Sequence, residues 1–388
     1  MNEPAATRLP AGLRLPFDPL LALASLGLMA ASIVTLNAST STDVPGDPHY
    51  YVTRQCMFFV VGTLIAIVLS RIDYSRLREL KYGIYGLMIG ALLLVSVFGG
   101  VTRGSRRAIQ LPFFEVQASE LGKVLLVAAL AGFVVDRSRR LGERDTTARL
   151  VLVAMIPAIF VMTSDLGSGL VYIAILFAVL FVAGVGWRHF AGLLTLGAVS
   201  VTLVLVAAPA LGVTVLEGYQ VERLTSFLEP SDVAGDAGYQ QNQSRIAIGS
   251  GQKTGRGDRA TQSNLNFLPE DRTDFAFAVV GERWGFAGAG LVLSLYALLV
   301  WRGLRILTMA KNLYGALIAG GIVAMLMFQV FINVGMNVGI MPITGIPLPL
   351  MSYGGSSVIT TLLAVGLLQS IYAQGRVASA TKGRVLSF

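Results

Sequence analysis

The apolar residues of this chain come in runs of about twenty, bounded by charge. A hydrocarbon core about 30 Å thick takes about 20 apolar residues as helix, and only backbone that satisfies its own hydrogen bonds can cross it. Ten such runs are present, at about 17–37, 52–70, 82–101, 116–135, 150–163, 167–186, 189–211, 276–301, 314–338 and 353–373. The predicted fold is an all-α polytopic membrane protein with ten transmembrane helices, a single integral membrane domain over 1–388. The first run has no small-residue cleavage site and leads directly into further spans, so it is expected to stay in the mature protein.

Basic residues in short loops favour the cytoplasm. Alternate connections carry them: Arg71, Arg76, Arg78 and Lys81, then Arg137 to Arg149, then Arg188, then Arg302, Arg305 and Lys311. The other connections are acidic or neutral, with Asp43 and Asp47 in the first. Both termini are therefore expected to be cytoplasmic. Arg103, Arg106 and Arg107 break the rule on the outer side, which suggests an anionic partner there or anchoring to anionic lipid. One outer connection, 212–275, is too long for a simple loop. Its Phe227, Tyr239, Ile246, Ile248, Leu265, Phe267 and Leu268 predict a folded cap of short helices lying against the outer surface.

Composition agrees: the 388 residues are 54% hydrophobic and 13% charged, against about 45–50% and about 25% in soluble domains. A soluble globular enzyme and a disordered chain are both excluded. The net charge of +8 is accounted for by the cytoplasmic loops, so no nucleic-acid partner is expected. The single Cys56 excludes an internal disulfide, and His49 and His189, far apart, do not make a zinc cluster. Gly249 to Thr254 imitates a nucleotide loop but has Gln252 where the motif needs Gly before Lys, so no nucleotide is expected. Neither tandem repeats nor similarity between the halves is visible, which counts against an inverted-repeat transporter.

Ionisable groups within a membrane cost about 2.5–3.5 kcal/mol each on insertion scales, so each needs a reason. Here they fall on the outer side: Glu120 and Lys123 in the first turns of span four, Asp165 between spans five and six, Asp274 at the start of span eight, with Glu282 and Arg283 two turns further in. Asn333 and Asn337 share a helix face at the end of span nine, and Ser352 to Ser357 opens span ten. Each has a plain alternative. Glu120 and Lys123 form a self-neutralising pair, Asp165 caps span six, and the amides and serines hold helices together. The Gly86/Gly90, Gly281/Gly285 and Gly335/Gly339 spacings read as packing, and His189 as structural or interfacial. Convergence of acids, bases and amides from separate segments points instead to a hydrophilic cavity open to the exterior.

Two stretches resemble the SEDS (shape, elongation, division and sporulation) family. The first is Tyr239-Gln240, Gln243-Ser244, Ala247 to Gly251, Gly255, Gly257, Gln262, Phe267 to Glu270, Thr273 to Phe275, Gly281-Glu282 and Gly285-Phe286. The second is Asn333 to Met336, Gly339, Pro342, Thr344 to Pro349 and Ser352 to Ser357. The Asn-Val-Gly-Met and Gly-Ile-Pro-Leu-Pro wording is most similar to the RodA branch. The resemblance implies a peptidoglycan glycosyltransferase that polymerises lipid II, the undecaprenyl-diphosphate-linked disaccharide pentapeptide, during elongation with a class B penicillin-binding protein. It places the family's essential aspartate on Asp274 and its polar cavity residues on Arg106, Glu120, Lys123, Asp165 and Arg223. Gln262 and Ser356 are expected to join them in binding substrate. This sequence departs from the family at Arg107 (for Trp), Ala118 (for Pro), Thr163-Ser164 (for Gln-Pro), Gln252-Lys253 (for Gly-apolar) and Arg272 (for His). A close Arg272 would lower the pKa of Asp274 and weaken it as a base.

The reaction implied needs a carboxylate to take a sugar hydroxyl proton, and cations for the departing diphosphate. Asp274 is the candidate general base, or alternatively the ligand of a divalent cation, Mg2+ or Mn2+. Arg106, Lys123 and Arg223 suit the phosphate oxygens. Membrane lipids flank the site, which should open toward them. The competing reading is a flippase for a polyprenyl-linked precursor.

Overall fold

A computed structural model of the chain describes residues 17–40, 44–102, 105–110, 115–204, 218, 221, 223, 236–265, 267–268 and 270–385. Arg103, Phe227 and Asp43 lie outside these. Of Arg106 and Arg107 the backbone alone is described.

Each of the ten apolar runs is helical: α1 (Pro19–Ser39), α2 (Tyr50–Arg71), α3 (Lys81–Phe98), α4 (Ala118–Asp136), α5 (Arg144–Ser164), α6 (Leu166–Val182), α7 (Trp187–Thr202), α10 (Ala276–Met309), α11 (Leu313–Val338) and α12 (Gly355–Val385). Between them, α8 (Asp236–Gly251) and the single turn α9 (Thr261–Asn264) lie in the long connection. Among the described residues, eight of the helices are long and apolar enough to span; α6 and the described length of α7 are shorter. The bundle has an inner and an outer ring, decided by burial. In α4, 83% of the apolar window is buried, against 17% in α3, so α4, α11 and α12 form the centre and α2 and α3 face outward. Gly86 and Gly90 on α3 meet nothing within 4 Å of an added Cβ, so their spacing is not a helix contact.

After α3 the chain makes a small antiparallel sheet that the apolar pattern did not reveal. It comprises β1 (Gly100–Thr102), β2 (Ser105–Gln110) and β3 (Glu115–Val116), in that order. Val101 pairs with Arg106, and Gln110 with Glu115. The sheet holds Arg106 in β2 and delivers the chain to the start of α4.

At the opposite end of the bundle, Arg302 is not solvated as a loop cation. It donates to buried Asp18, with Nε 3.0 Å from Oδ2. Asp18 also caps α1, accepting from Leu20 and Leu21 N–H, and its backbone exchanges two hydrogen bonds with Gln369. Asp18 thus ties α1 and α10 through its carboxylate and α12 through its backbone. Nearby, Lys311 bridges Asp73 at 3.0 Å. Partial burial raises the Asp73 pKa, but the Ser75 N–H, Lys311 and the Ser75 hydroxyl outweigh it and hold the carboxyl below its usual value.

The described part of the long connection does fold, with only some of its larger apolar residues inside. Tyr239, Ile246, Leu265 and Phe267 are exposed, while Leu268 is buried and Ile248 packs against the core. Small residues make the rest of the contact, because they allow α8 to approach α10 and α11 closely. Ser244 and Ala247 are fully buried, and an added Cβ on Gly251 would lie 1.9 Å from the Gly281 carbonyl. The eighth span is likewise longer than expected and broken. Gly285, at φ 62° and ψ −155°, interrupts α10 with a conformation that a side chain would strain. The orphaned N–H groups beyond the break, of Phe286 and Ala287, donate to the carbonyls of Gln252 (2.8 Å) and Lys253 (3.1 Å), and Arg256 N–H donates to Glu282 O (2.9 Å). The loop therefore substitutes for the missing helical turn.

Candidate active site

Asp274 ends the long connection at the start of α10, and the backbone around it is fixed at three consecutive carbonyls. Tyr353 N–H donates to Arg272 O at 2.8 Å. The Ser352 hydroxyl donates to Thr273 O. The amides of Asn333 and Asn337 both donate to Asp274 O, at 3.0 and 3.1 Å. The two amides are themselves locked: Asn333 also donates to Ile346 O (2.8 Å), Asn337 to Asn333 O (2.8 Å), and Asn337 Oδ1 accepts from Ala278 N–H. Both side chains are fully buried, so every one of these bonds is made away from water.

The connection from α11 to α12 completes the frame. Ser32 of α1 donates to Met351 O, Gln55 of α2 donates to Ser352 O and faces Gly354 N–H, and Tyr296 of α10 donates to Pro349 O. Ser352 also accepts from Leu348 N–H. This uncharged segment is thus held by α1, α2 and α10, and by Asn333 of α11 at Ile346 O, and it forms one wall of a cavity of about 200 Å³.

Asp274, Asp165 and Ser356 all line that cavity, together with Glu115, Gln117 and Tyr353. Ser356 joins β3 to α12: its hydroxyl donates to Glu115 O (2.6 Å) and accepts from Gln117 N–H (2.9 Å). Asp165 lines the cavity and also caps α6, its oxygens accepting from the Ser168 N–H (3.1 Å) and hydroxyl (2.8 Å). Arg223 reaches the same place. The position of a Cβ on Gly345 would lie 3.5 Å from Arg223 Nη1 and 3.6 Å from Asp274 Oδ2, so guanidinium and carboxylate flank one glycine.

Glu120 and Lys123 lie one turn along α4 from Gln117. They form a desolvated pair at 2.6 Å, with side chains 3% and 0% exposed. Tyr172 of α6 donates to Ser119 O at 3.0 Å and fastens this turn. Gln262 stands elsewhere. Its N–H and that of Ser263 donate to the buried Glu282 carboxylate at 2.8 and 3.0 Å, which anchors α9 on α10. Arg283 donates to Ala38 O and Asn264. Glu282 and Arg283 thus serve the loop rather than the cavity. Arg272 places its guanidinium over the Tyr51 ring, 4.4 Å from the centroid. Among the described residues, no three His, Cys, Asp or Glu side chains cluster as a metal cage.

Glu115, Gln117 and Gln55 were not singled out from the sequence. The signal for Gln55 is an amide inside the second apolar run; Glu115 carries none, because a sheet places it, and Gln117 is the residue that precedes α4.

The family model described as cell cycle protein (FtsW, RodA, SpoVE) matches residues 15–377. Peptidoglycan glycosyltransferase MrdB of Escherichia coli K12 is 33% identical over 365 residues, covering 93% of this chain and 95% of its own length. Stage V sporulation protein E of Bacillus subtilis 168 is 32% identical, covering 92% and 98%, and a probable peptidoglycan glycosyltransferase FtsW of Thioalkalivibrio sulfidiphilus is 36% identical, covering 98% and 94%. Among solved structures, a peptidoglycan synthase complex coordinating polymerization and crosslinking contains a chain with TM-score 0.76 and 30% identity, covering 93% of this chain and 99% of that one. Thermus thermophilus rod shape determining protein RodA gives 0.65 at 27% identity, covering 94% and 98%. With matches that run almost from end to end in both sequence and fold, the chain belongs to the FtsW/RodA/SpoVE family of polytopic membrane proteins.

Proposed function

We propose that the chain is a peptidoglycan glycosyltransferase of the RodA type, polymerising lipid II on the outer face of the bacterial cytoplasmic membrane. The observation that carries this reading is Asp274, whose backbone is pinned at three successive carbonyls while its carboxylate faces the cavity beside Arg223. A group held this rigidly is suited to chemistry that demands positioning. The distribution of basic loops supports placing the cavity outside and both termini in the cytoplasm.

In the reaction, the 4-hydroxyl oxygen of one saccharide attacks the anomeric carbon of another. A glycosidic bond forms, the bond to the diphosphate oxygen breaks, and the lipid diphosphate leaves with the electron pair. Asp274 takes the hydroxyl proton. Arg223 receives the developing phosphate charge, with Arg106 on the neighbouring sheet. Lys123, paired with Glu120, sets the polarity of the turn behind Gln117. Mg2+ is typically held by one or two carboxylates together with substrate phosphates. As the alternative to its role as base, Asp274 would meet that need together with Asp165, the latter already engaged by Ser168. Mg2+ or Mn2+ held there would neutralise diphosphate charge.

A class B penicillin-binding protein is the proposed partner, with its membrane helix against the apolar groove between α10 and α11, where Phe331 and Leu293 are exposed. The test is polymerisation of purified lipid II by the reconstituted protein, with a partner whose transpeptidase is blocked. Wild type is expected to make glycan strands, and Asp274→Ala and Asp274→Asn none. Strands from both variants would remove Asp274 from the chemistry. A wild type inactive with a verified partner would turn the reading toward translocation of the precursor across liposomes.

A further inference from the structure

The end of the bundle opposite the site holds a cavity of about 1130 Å³ between α5 and α7, larger than the roughly 300–1,000 Å³ of small-molecule pockets. Its depth is apolar, walled by Val151 and Met155 of α5 and Leu193 and Leu196 of α7. Its mouth is not. Arg144 begins α5 there, and Trp187, Arg188 and His189 form the first turn of α7. Among the described residues, neither Arg144 nor Arg188 has a carboxylate within ion-pair distance, and the adjacent Asp145 is paired with Arg149 at 2.7 Å.

A further observation concerns the gap itself. Helix α7 has no buried residue in its described length, and it touches α6 through Phe190, whose ring lies 6.0 Å from Phe177 and 6.3 Å from Phe181. Among the described residues, nothing covers the face of α7 toward α5, which stands over an apolar gap. Trp187 is 75% exposed at the rim, the depth at which Trp sits at a membrane–water boundary.

We propose that this cavity binds an anionic phospholipid of the leaflet at that end. Its phosphate is received by Arg144 and Arg188, with the N-termini of α5 and α7 adding favourable dipoles, and its acyl chains fill the gap between the two helices. Free phosphate has the same headgroup chemistry but leaves the apolar walls unfilled. The proposal rests on this cavity alone and is independent of the reaction at Asp274.

The test is native mass spectrometry of the full chain released from detergent micelles containing phosphatidylglycerol, cardiolipin or phosphatidylcholine, with inorganic phosphate as a separate arm. Wild type is expected to retain the two anionic lipids about tenfold more than phosphatidylcholine, and the double variant R144Q/R188Q to lose that preference, since hydrogen bonds to charged groups are worth this order of affinity. Leu193→Trp, which fills the gap without changing charge, should lower retention of all three lipids and decides the matter alone if the arginine variant does not fold. Equal retention of phosphatidylglycerol by wild type and R144Q/R188Q overturns the proposal. So does displacement of phosphatidylglycerol by millimolar inorganic phosphate, or a Leu193→Trp variant that binds as wild type does.

Discussion

Replacing Asn333 with alanine tests whether the frame around Asp274 positions it or only stabilises the protein. The Asn333 amide donates to Asp274 O and Ile346 O, at 3.0 and 2.8 Å, and the side chain is fully buried. In Asn333→Ala, Ile346 O loses the side-chain donor seen here, which costs about 1–3 kcal/mol for a buried acceptor. Asp274 O keeps Asn337 at 3.1 Å, but Asn337 loses its contact with Asn333 Oδ1. The sum is about 2–4 kcal/mol of stability. If the carboxylate shifts by as much as 1 Å, the rate falls about a hundredfold. The assay is lipid II polymerisation at a temperature well below unfolding, with thermal unfolding measured in parallel. The expected result is a kcat lowered by about ten- to a hundredfold at nearly constant KM. Asn337→Ala should behave similarly, and the double variant should be less than additive, because the two amides share one carbonyl and contact each other. A variant with a lowered Tm and an unchanged kcat would refute positioning and leave the amides a purely structural role.

Asp18→Asn strands Arg302 in a largely buried setting, so it should lower stability by about 3–5 kcal/mol, read by thermal unfolding; Asp18→Leu with Arg302→Met should recover most of the loss. Gly345 has φ 73°, where a side chain costs about 1–2 kcal/mol, and a Cβ there would meet both Arg223 and Asp274. Gly345→Ala is therefore expected to lower polymerisation more than stability, and equal activity would separate this glycine from the site. Gln252 holds φ 47°, so Gln252→Gly should be neutral or stabilising by up to about 1 kcal/mol, whereas Gln252→Val should destabilise. The Asp73–Lys311 bridge has a depressed carboxylate pKa, so its contribution is full above the unfolded value of 3.8 and fades as pH falls through the lower folded value. With Asp73 45% exposed, that loss is limited to about 0.2–1 kcal/mol; Asp73→Asn should remove it at neutral pH and flatten the acid limb of the unfolding midpoint.

The sequence by itself determined the order and approximate limits of the apolar helices, because lipid imposes one rule on every span: about twenty apolar residues with an internally bonded backbone. It also determined which polar residues lay at one end, because each ionisable group there carries a solvation cost that marks it out. Tertiary structure decided what those residues do. Asp165, Glu282 and Asn337 are equally anomalous as sequence, yet Asp165 lines the cavity, Glu282 anchors the loop and Asn337 holds the backbone of Asp274. Those assignments depend on partners 3 to 63 residues away along the chain. The break at Gly285 and the sheet at 100–116 also escaped the hydropathy pattern, because both are fixed by hydrogen bonds between segments: the Gln252 and Lys253 carbonyls for one, cross-strand pairs for the other. Hydropathy reports how each segment meets lipid; it carries no record of which buried donor finds which acceptor.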